Sequence, residues 1–466
     1  MSMTPLALWM FSQETRALLT RLARVKPLAL VEGMVPAAAF SPAAQVAIEV
    51  YLARERRAVQ GAVQDYLRWL YSPAGRRATA SEAQRRFTFL RLRFNAVLDQ
   101  FDIFADVLTQ RSEHETGVWL AGLDAVAADA LALPGGYYAP PPVICYLDRG
   151  HGAAIRRART RLPGGGENPV AIIRVPRERM VGSGIASSLI HEVGHQGVAL
   201  LDLINSLRPL LHGMQRTRGP SQQAWQLWER WLSEILADFW AVARVGIAAT
   251  VGLIGVVSLP RAFVFRVSLD DPHPIPWIRV KLSCAMGNAL YPHRQWQRLA
   301  DLWESMYPTA DLDPQTRTLL AQMEATMPGF IALLVHHRPP ALHGDSLVEA
   351  LAVEERQPAR LAAAHRAWQR APAQMRAAPP SFVFAVIGQA KAAGWLTPEA
   401  ESRTVAKLLT DWALRTALDT SAHCLPPTRT PARAQPAHTA RPTFAFSLSH
   451  DLSGGLYGKQ AESQSA

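Results

Sequence analysis

Cysteine is scarce in this sequence: the 466 residues contain three, at positions 145, 284 and 424. A secreted domain stabilised by disulfides would usually carry more cysteines and an even number of them. The N-terminus also lacks the basic segment and the long apolar segment of a secretory signal peptide. These absences predict a cytoplasmic protein, with export by a signal-independent route as the alternative.

Lysine is also rare, since only five of the 49 basic residues are lysines, yet abundant arginine gives a net charge of +11. A basic balance of this size would suit nucleic acid or an anionic membrane as a partner. The arginines are scattered through amphipathic segments, however, and no nucleic-acid-binding motif accompanies them. We therefore expect no nucleic-acid partner.

Long uncharged runs are few, and residues 245–259 form the one that comes nearest to a membrane span. This run has 15 residues, whereas a membrane-spanning helix needs about 20. We predict a buried core helix broken at Gly252 or Gly255, and we do not expect membrane anchoring. The apolar fraction of 49% is ordinary for a chain that buries a sizeable core.

The hydrophobic pattern predicts a mostly helical α+β fold. Amphipathic periodicity dominates the N-terminal third, for example over residues 41–70, where Ser41 precedes a proline at the first helical position. Two short β-branched runs, residues 142–148 and 170–176, predict strands before helices resume at Gly184. The predicted segments are a helical domain (1–133), a domain containing the sheet (134–300), a helical region (301–420) and a disordered Pro/Ala/Thr-rich tail (421–466). The first of these has no ligand cluster, so we interpret it as a scaffold or partner-binding domain.

The stretch SSLIHEVGHQGVALLDL, residues 187–203, contains two histidines four residues apart. On a helix His191 and His195 would lie on one face, about 6 Å apart, so that both imidazoles could reach one metal ion. Glu192 would project to the side, where a general base could act. The alternative is a pair of partly buried histidines beside a solvated glutamate.

A third ligand has to come from outside this helix. Val198 and Leu201 occupy the positions at which a metzincin would have glycine and histidine. Asp202 lies two helical turns from His195, about 10 Å away, which is too far for one ion unless the helix breaks.

The helix predicted after Ser221 supplies candidates, because its apolar stripe contains Glu234 and Asp238. Two carboxylates one turn apart in such a stripe are costly to bury unless they are paired or bind a metal. We predict Glu234 as the third ligand and Asp238 as the acceptor of a ligand histidine's ring N–H. Pairing of both carboxylates with arginines is the alternative, and Glu229 is a weaker third ligand.

The order His-Glu-x-x-His followed by Glu-x-x-Ala-Asp resembles the gluzincin metallopeptidases; the matching residues are His191, Glu192, His195, Glu234, Ala237 and Asp238. A later segment, DDPHPIPWIRV, is similar to the His-Pro…Arg segment of the HtpX and CAAX-prenyl-endopeptidase group. In that group an arginine follows six residues after the histidine, and the corresponding residues are His273 and Arg279. The resemblance covers residues 142–290 and does not extend to the membrane spans of that group.

The resemblance implies a zincin-like catalytic domain over residues 134–300, flanked by helical regions, with one Zn²⁺ as cofactor. It implies Glu192 as general base, and His273 and Arg279 as residues that bind substrate or stabilise the oxyanion. Gluzincins place an edge strand just before the motif helix, where it pairs with an extended substrate. The backbone predicted to line the cleft in this way is that of Ile172, Ile173, Arg174 and Val175.

The predicted function is therefore that of a soluble zinc metallopeptidase that cleaves protein or peptide substrates, as a selective processing protease or a proteolytic effector. A zinc-binding scaffold or interaction protein, with a structural or vestigial site, is the alternative.

Overall fold

The computed structural model of the chain describes residues 3–25, 33–149, 152–177, 182–216, 219, 221–268 and 270–424. The predicted tail, residues 421–466, lies outside the described residues from position 425 onward, and residues 421–424 end the last helix.

The first part of the chain is helical and is followed by three strands. Its helices are α1 (Pro5–Arg24), α2 (Pro42–Tyr71), α3 (Pro73–Arg77), α4 (Ala80–Thr109) and α5 (His114–Leu131). The strands are β1 (Val143–Asp148), β2 (Ala154–Arg156) and β3 (Ala171–Pro176).

Helices make up the remainder of the described chain. The helices that surround the histidine motif are α6 (Gly184–Leu200), α7 (Leu203–Gln215), α8 (Gln222–Arg230), α9 (Leu232–Val245), α10 (Ile247–Val257), α11 (Arg261–Val264) and α12 (Pro276–Leu290). Those that follow are α13 (Gln295–Met306), α14 (Pro314–His336), α15 (Leu347–Ala350), α16 (Pro358–Arg370), α17 (Pro372–Ala377), α18 (Pro380–Ala392) and α19 (Pro398–Cys424). The mostly helical α+β class predicted from the sequence is confirmed.

The long N-terminal helices begin where capping residues and prolines favour it. The Ser41 hydroxyl accepts a hydrogen bond from the backbone N–H of Ala44 at 3.3 Å, and Pro42 opens α2, as predicted. Helices α1, α2 and α4 pack on one another around a core that includes Phe87, Phe94 and Phe104. This core also covers one face of the sheet.

Strand order in the sheet is β1-β3-β2, with β1 parallel and β2 antiparallel to β3. Both predicted strands are confirmed, whereas β2 was not predicted because it is only three residues long. Successive side chains alternate between the two faces. Ile144 and Ile172 enter the N-terminal core, and Cys145 and Ile173 enter the larger core that surrounds α6. The sheet is therefore buried between two layers of helices.

The apolar run at residues 245–259 forms α10, a core helix as predicted, but its break lies elsewhere. Gly246 has a φ of 58°, a left-handed conformation that glycine adopts most easily, and it separates α10 from α9. Gly252 lies inside α10, where a Cβ would collide with the side chain of Ser187 on α6. The glycine therefore allows α10 to lie close to α6.

One of the described helices, α14, is long and apolar enough by length and composition to cross a membrane, a test that core helices of soluble proteins also pass. One of its faces is buried in the larger core, through residues such as Met323, Phe330 and Leu334. By its internal contacts, the segment up to Ala422 forms one compact unit. The domain boundaries drawn at residues 133 and 300 stay predictions.

A buried ion pair connects the N-terminal helices to the sheet. Arg111, fully buried, contacts the Asp124 carboxylate at 3.0 Å and donates to the Cys145 carbonyl at 2.8 Å. Asp124 in turn accepts the backbone N–H of Cys145 at 2.7 Å. Two nitrogens of Arg111 have no hydrogen-bond partner. The buried positive charge of Arg111 is therefore compensated by the Asp124 carboxylate.

We expect Asp124→Asn to destabilise the protein by about 3–5 kcal/mol, because it leaves the Arg111 charge buried and uncompensated. Thermal and urea unfolding followed by circular dichroism would measure the loss. The control is Asp65→Asn, which removes the partner of the solvent-exposed Arg68 and should leave the unfolding midpoint unchanged. Equal midpoints for the two variants would show that the buried pair does not stabilise the fold.

Candidate metal centre

The motif helix α6 and the carboxylate helix α9 cross at very short range. A Cβ on Gly194 would lie 2.9 Å from the Cα and carbonyl oxygen of Ala237, closer than real Cβ atoms come. A Cβ on Gly197, one turn later, would overlap the indole ring of Trp240. These two glycines of α6 let α9 approach until the side chains of the two helices meet.

The crossing brings His191 and His195 of α6 together with Glu234 of α9. The Nε2 atom of His191 lies 3.2 Å from Oε2 of Glu234, and Nε2 of His195 lies 3.4 Å from Oε1. One ligand atom from each of the three residues lies within 4.8 Å of the others. Zinc bound at about 2.0–2.1 Å in a tetrahedron would have its ligand atoms about 3.3 Å apart, close to the two observed histidine–glutamate distances.

The residues present fit a zinc ion. Glu234 is only 9% exposed, and its Oε2 atom accepts no hydrogen bond. A buried carboxylate oxygen without a partner is costly, and a cation placed among these three side chains would remove that cost. Two imidazoles and one carboxylate are a common ligand set of catalytic zinc sites. The geometry therefore brings together the three ligands proposed from the sequence.

Asp238 contacts the Nδ1 side of the His191 ring, and Arg279 holds Asp238 in place. Arg279 donates from Nε to Oδ2 of Asp238 at 2.6 Å and from Nη2 to Oδ1 at 2.9 Å. The Oδ1 atom lies 2.8 Å from Nδ1 of His191, an ion-pair contact rather than an aligned hydrogen bond. A negative charge beside Nδ1 favours a proton there and leaves Nε2 as the metal-binding atom.

The charges of this cluster shift one another's pKa values. Burial would lower the pKa of His191, but the Asp238 and Glu234 carboxylates outweigh it and raise that pKa to about 9. Burial would raise the pKa of Asp238, but Arg279 and His191 hold it below its usual range. In the same way the two histidines hold the pKa of Glu234 low in spite of burial. The site thus keeps its carboxylates ionised, as metal ligation requires.

Glu192 lies next to the ligand group without belonging to it. It is 7% exposed and lines the same small cavity as His191. Burial raises the pKa of its carboxyl group, although the two histidines act in the opposite direction. A carboxylate with a raised pKa in a cavity has the properties of a general base.

The structure places His273 at the rim of the site, where its side chain is 48% exposed. Its Nε2 lies 3.3 Å from Oε2 of Glu234, and it faces the cavity. On the other side of the ring, Nδ1 lies 2.8 Å from Oδ1 of Asp271, which also accepts the His273 backbone N–H at 3.0 Å. Asp271 was not predicted from the sequence, although Asp-x-His is a local signal for such a turn.

Arg279 lies beside the ligand group, as the resemblance implies, and its role toward the substrate stays a prediction. It lines the cavity, but at least two of its nitrogens are used on Asp238, and Nη2 is 3.7 Å from Oε2 of Glu234. The sequence left open the alternative that the carboxylates pair with arginines. This pairing is present for one of them, since Arg279 pairs with Asp238. Its contacts are those of a positioning residue.

The prediction that β3 is the substrate-binding edge strand is wrong. Ile172, Ile173 and Arg174 pair with β1 on one side and with β2 on the other, so their backbone is used within the sheet. Val175 pairs with Leu147 of β1 and is fully buried. The long apolar run was typical of an interior strand.

The edge beside the metal centre is instead formed by β2. Gly152 and Ala153, which immediately precede this strand, line the cavity together with His191 and Glu192. No hydrophobic pattern marked them, because the strand has only three residues and one of these is an arginine.

The cavity itself has a volume of about 110 Å³ and an apolar wall. Ala241 and Val242 of α9 form part of this wall, and Leu253 and Val256 of α10 form another part. Ser233, which the sequence did not indicate, lies with its Oγ 3.3 Å from Nδ1 of His195 and can fix the orientation of that ring.

Two weaker candidates for the third ligand lie outside the ligand group. α6 does end before Asp202, which has a φ of 51°, but the Asp202 carboxylate accepts a hydrogen bond from Asn205. Glu229 contacts His212 and Gln215 instead of the motif histidines.

Comparison of the chain with protein-family models, with curated proteins and with solved structures gives no match. The resemblance to gluzincins thus stays a prediction from the motifs.

We expect Gly194→Ala to disturb both fold and metal binding, because the added methyl group would push α9 away from α6. The overpacking should cost about 1–3 kcal/mol and weaken zinc binding, measured by unfolding and by competition with a chromogenic chelator. Gly213→Ala is the matched control, since this helical glycine has open space around its Cβ position. Unchanged zinc affinity in the Gly194 variant would contradict the view that the short crossing assembles the site.

Proposed function

We propose that this chain is a zinc-dependent metalloendopeptidase that hydrolyses peptide bonds in protein or peptide substrates. The observation that carries the proposal is the position of Glu192, buried beside a three-residue ligand group but outside it. Structural zinc sites are normally closed by four protein ligands, whereas catalytic sites have three and leave a position for water or substrate. A zinc-binding scaffold would not need a buried base at this point.

A zinc ion held by His191, His195 and Glu234 would polarise the scissile carbonyl and make water a stronger nucleophile near neutral pH. Glu192 is proposed to take the proton of the attacking water and to return it to the leaving amine. Its burial supports this role, since a raised pKa brings the carboxyl group nearer to neutral pH.

His273 is the proposed donor to the developing oxyanion. Its ring faces the cavity, and Asp271 on its far side holds the ring in this orientation. Arg279 is proposed to act through Asp238, which it holds by two hydrogen bonds. A role as a second oxyanion donor would require a free guanidinium nitrogen to reach the substrate.

An extended substrate would lie along β2, the sheet edge whose entry residues Gly152 and Ala153 border the cavity. Backbone hydrogen bonds to such an edge hold peptides without regard to sequence. We propose a soluble enzyme with selective processing or effector activity; the flanking helices would then contribute to substrate choice.

Zinc content separates the roles of the ligands from that of the base. The purified wild-type chain should contain about one zinc per molecule by plasma mass spectrometry. Glu234→Ala should lower the affinity for zinc, because it removes a ligand. Glu192→Gln should keep the metal and lose about 10²–10⁴-fold in the rate of peptide cleavage.

Three results would contradict the proposal. Absence of zinc from the wild type after reconstitution would mean that the three residues are not a zinc site. Cleavage by the Glu192→Gln variant at the wild-type rate would mean that Glu192 is not the base. A zinc-loaded wild type that cleaves no peptide library would favour the scaffold alternative.

We expect His273→Ala to retain zinc and to lower kcat by about 10²–10³-fold, because it removes a donor to the oxyanion. KM should change much less, since the interaction is made chiefly in the transition state. His293→Ala is the control, because His293 is an exposed histidine that does not line the cavity. Loss of zinc from the His273 variant would instead indicate that His273 is a metal ligand.

A further inference from the structure

A second cavity lies on the opposite face of the sheet from the metal centre. Its volume is about 620 Å³, and it lies between α4 and the strands. Three arginines line it, Arg156, Arg157 and Arg174, against a single carboxylate, that of Asp106. The lining is therefore strongly basic.

The arginines of this cavity are weakly neutralised. Arg174 has its nearest carboxylate, Asp148, at 3.6 Å, and its buried Nε atom has no hydrogen-bond partner. Within the described part of the chain, no carboxylate lies within ion-pair distance of Arg156 or Arg157. Unsatisfied guanidinium donors facing a cavity favour an anionic ligand that can accept from them.

The basic cavity and the metal centre are joined by one short segment. Gly152 and Ala153 line the metal-site cavity, and the next four residues, 154–157, line the basic cavity. This segment includes β2, the edge strand of the sheet. On β2 the side chains of Ala154 and Arg156 point to the same face as those of Arg174 and Ile172 on β3.

We propose that the substrates are extended segments carrying acidic side chains, which the three arginines bind while the backbone pairs with β2. This inference rests on the proposed peptidase function and names its substrate class. Side chains of a strand alternate, so every second residue of the bound segment faces the arginines. At about 3.4 Å per residue from Ala153, the acidic residues would lie about three to five positions from the scissile bond.

A peptide is favoured over nucleic acid because the groove combines charge with a strand edge. An edge strand offers alternating N–H and C=O groups, which match a peptide backbone and not a phosphodiester chain. Among the residues that line the cavity, Tyr146 is the single aromatic ring, whereas single-stranded nucleic acid is usually held on several stacking platforms.

The test uses the full chain with Glu192→Gln, so that binding is read without turnover. Two fluorescent peptides of about twelve residues are compared by anisotropy, one with glutamates at alternate positions and one with glutamines in their place. We expect the acidic peptide to bind about ten-fold more tightly, and the difference to shrink at high salt because partly exposed charge pairs are screened.

Three variants in the same background assign the preference to the cavity. Arg156→Gln with Arg174→Gln removes two of the three arginines and should lose most of the preference for the acidic peptide. Arg91→Gln with Arg93→Gln is the matched control: it removes two exposed arginines from α4, away from the cavity lining, and should keep the preference. Arg156→Glu, at an exposed position, should shift the preference toward a lysine-containing peptide.

Equal binding of the two peptides, or an equal loss of preference in the control pair, would overturn the inference. Tighter binding of an oligonucleotide of equal charge, in competition with the acidic peptide, would also overturn it and make the cavity a nucleic-acid site. If the wild type cleaved neutral and acidic peptides equally well, the acidic preference alone would be contradicted. If acidic peptides bound in the cavity but were never cleaved, the peptidase proposal would be contradicted and the acidic-peptide site would be supported.

Discussion

The close crossing of α6 and α9 is the constraint on which the rest of the site depends. Two glycines on α6 leave no side chain between the helices, and the backbone of Ala237 and the ring of Trp240 occupy the space. Because the backbones approach so closely, the side chain of Glu234 on α9 can reach the two histidines of α6. A wider crossing would separate the three ligand atoms. The glycines contribute no ligand themselves, yet they set the distance at which the ligands meet.

The candidate metal centre is also a cluster of buried charges that balance one another. Arg279 neutralises Asp238, Asp238 lies against His191, and His191 lies against Glu234. Each group would be expensive to bury alone. Oε2 of Glu234 is one of the described buried atoms that have no hydrogen-bond partner, and a cation bound there would complete the balance. The arrangement thus ties the stability of this region to the occupant of the site.

The C-terminal helices, which carry no recognisable motif, take part in supporting α6. Glu401 of α19 is almost completely buried and accepts a hydrogen bond from the backbone N–H of Ser183, just before α6 begins, at 3.0 Å. Lys391 of α18 donates to the other oxygen of the same carboxylate at 2.7 Å. An acidic group at a helix N-terminus is favoured by the unpaired N–H groups there. The late helices are therefore part of the structure that holds the motif helix in place.

The sequence by itself determined the features that depend on local spacing. Helical periodicity placed His191 and His195 on one face and Glu234 and Asp238 on another, and capping signals located α2. The tertiary structure decided which elements meet: that β3 is interior and β2 is the edge, that Asp271 orients His273, and that Arg279 pairs with Asp238. Strand order and cross-helix pairs join residues far apart in the chain, and periodicity carries no information about such pairs. The short strand β2 lacked even a local pattern, because three residues with one arginine give no measurable alternation.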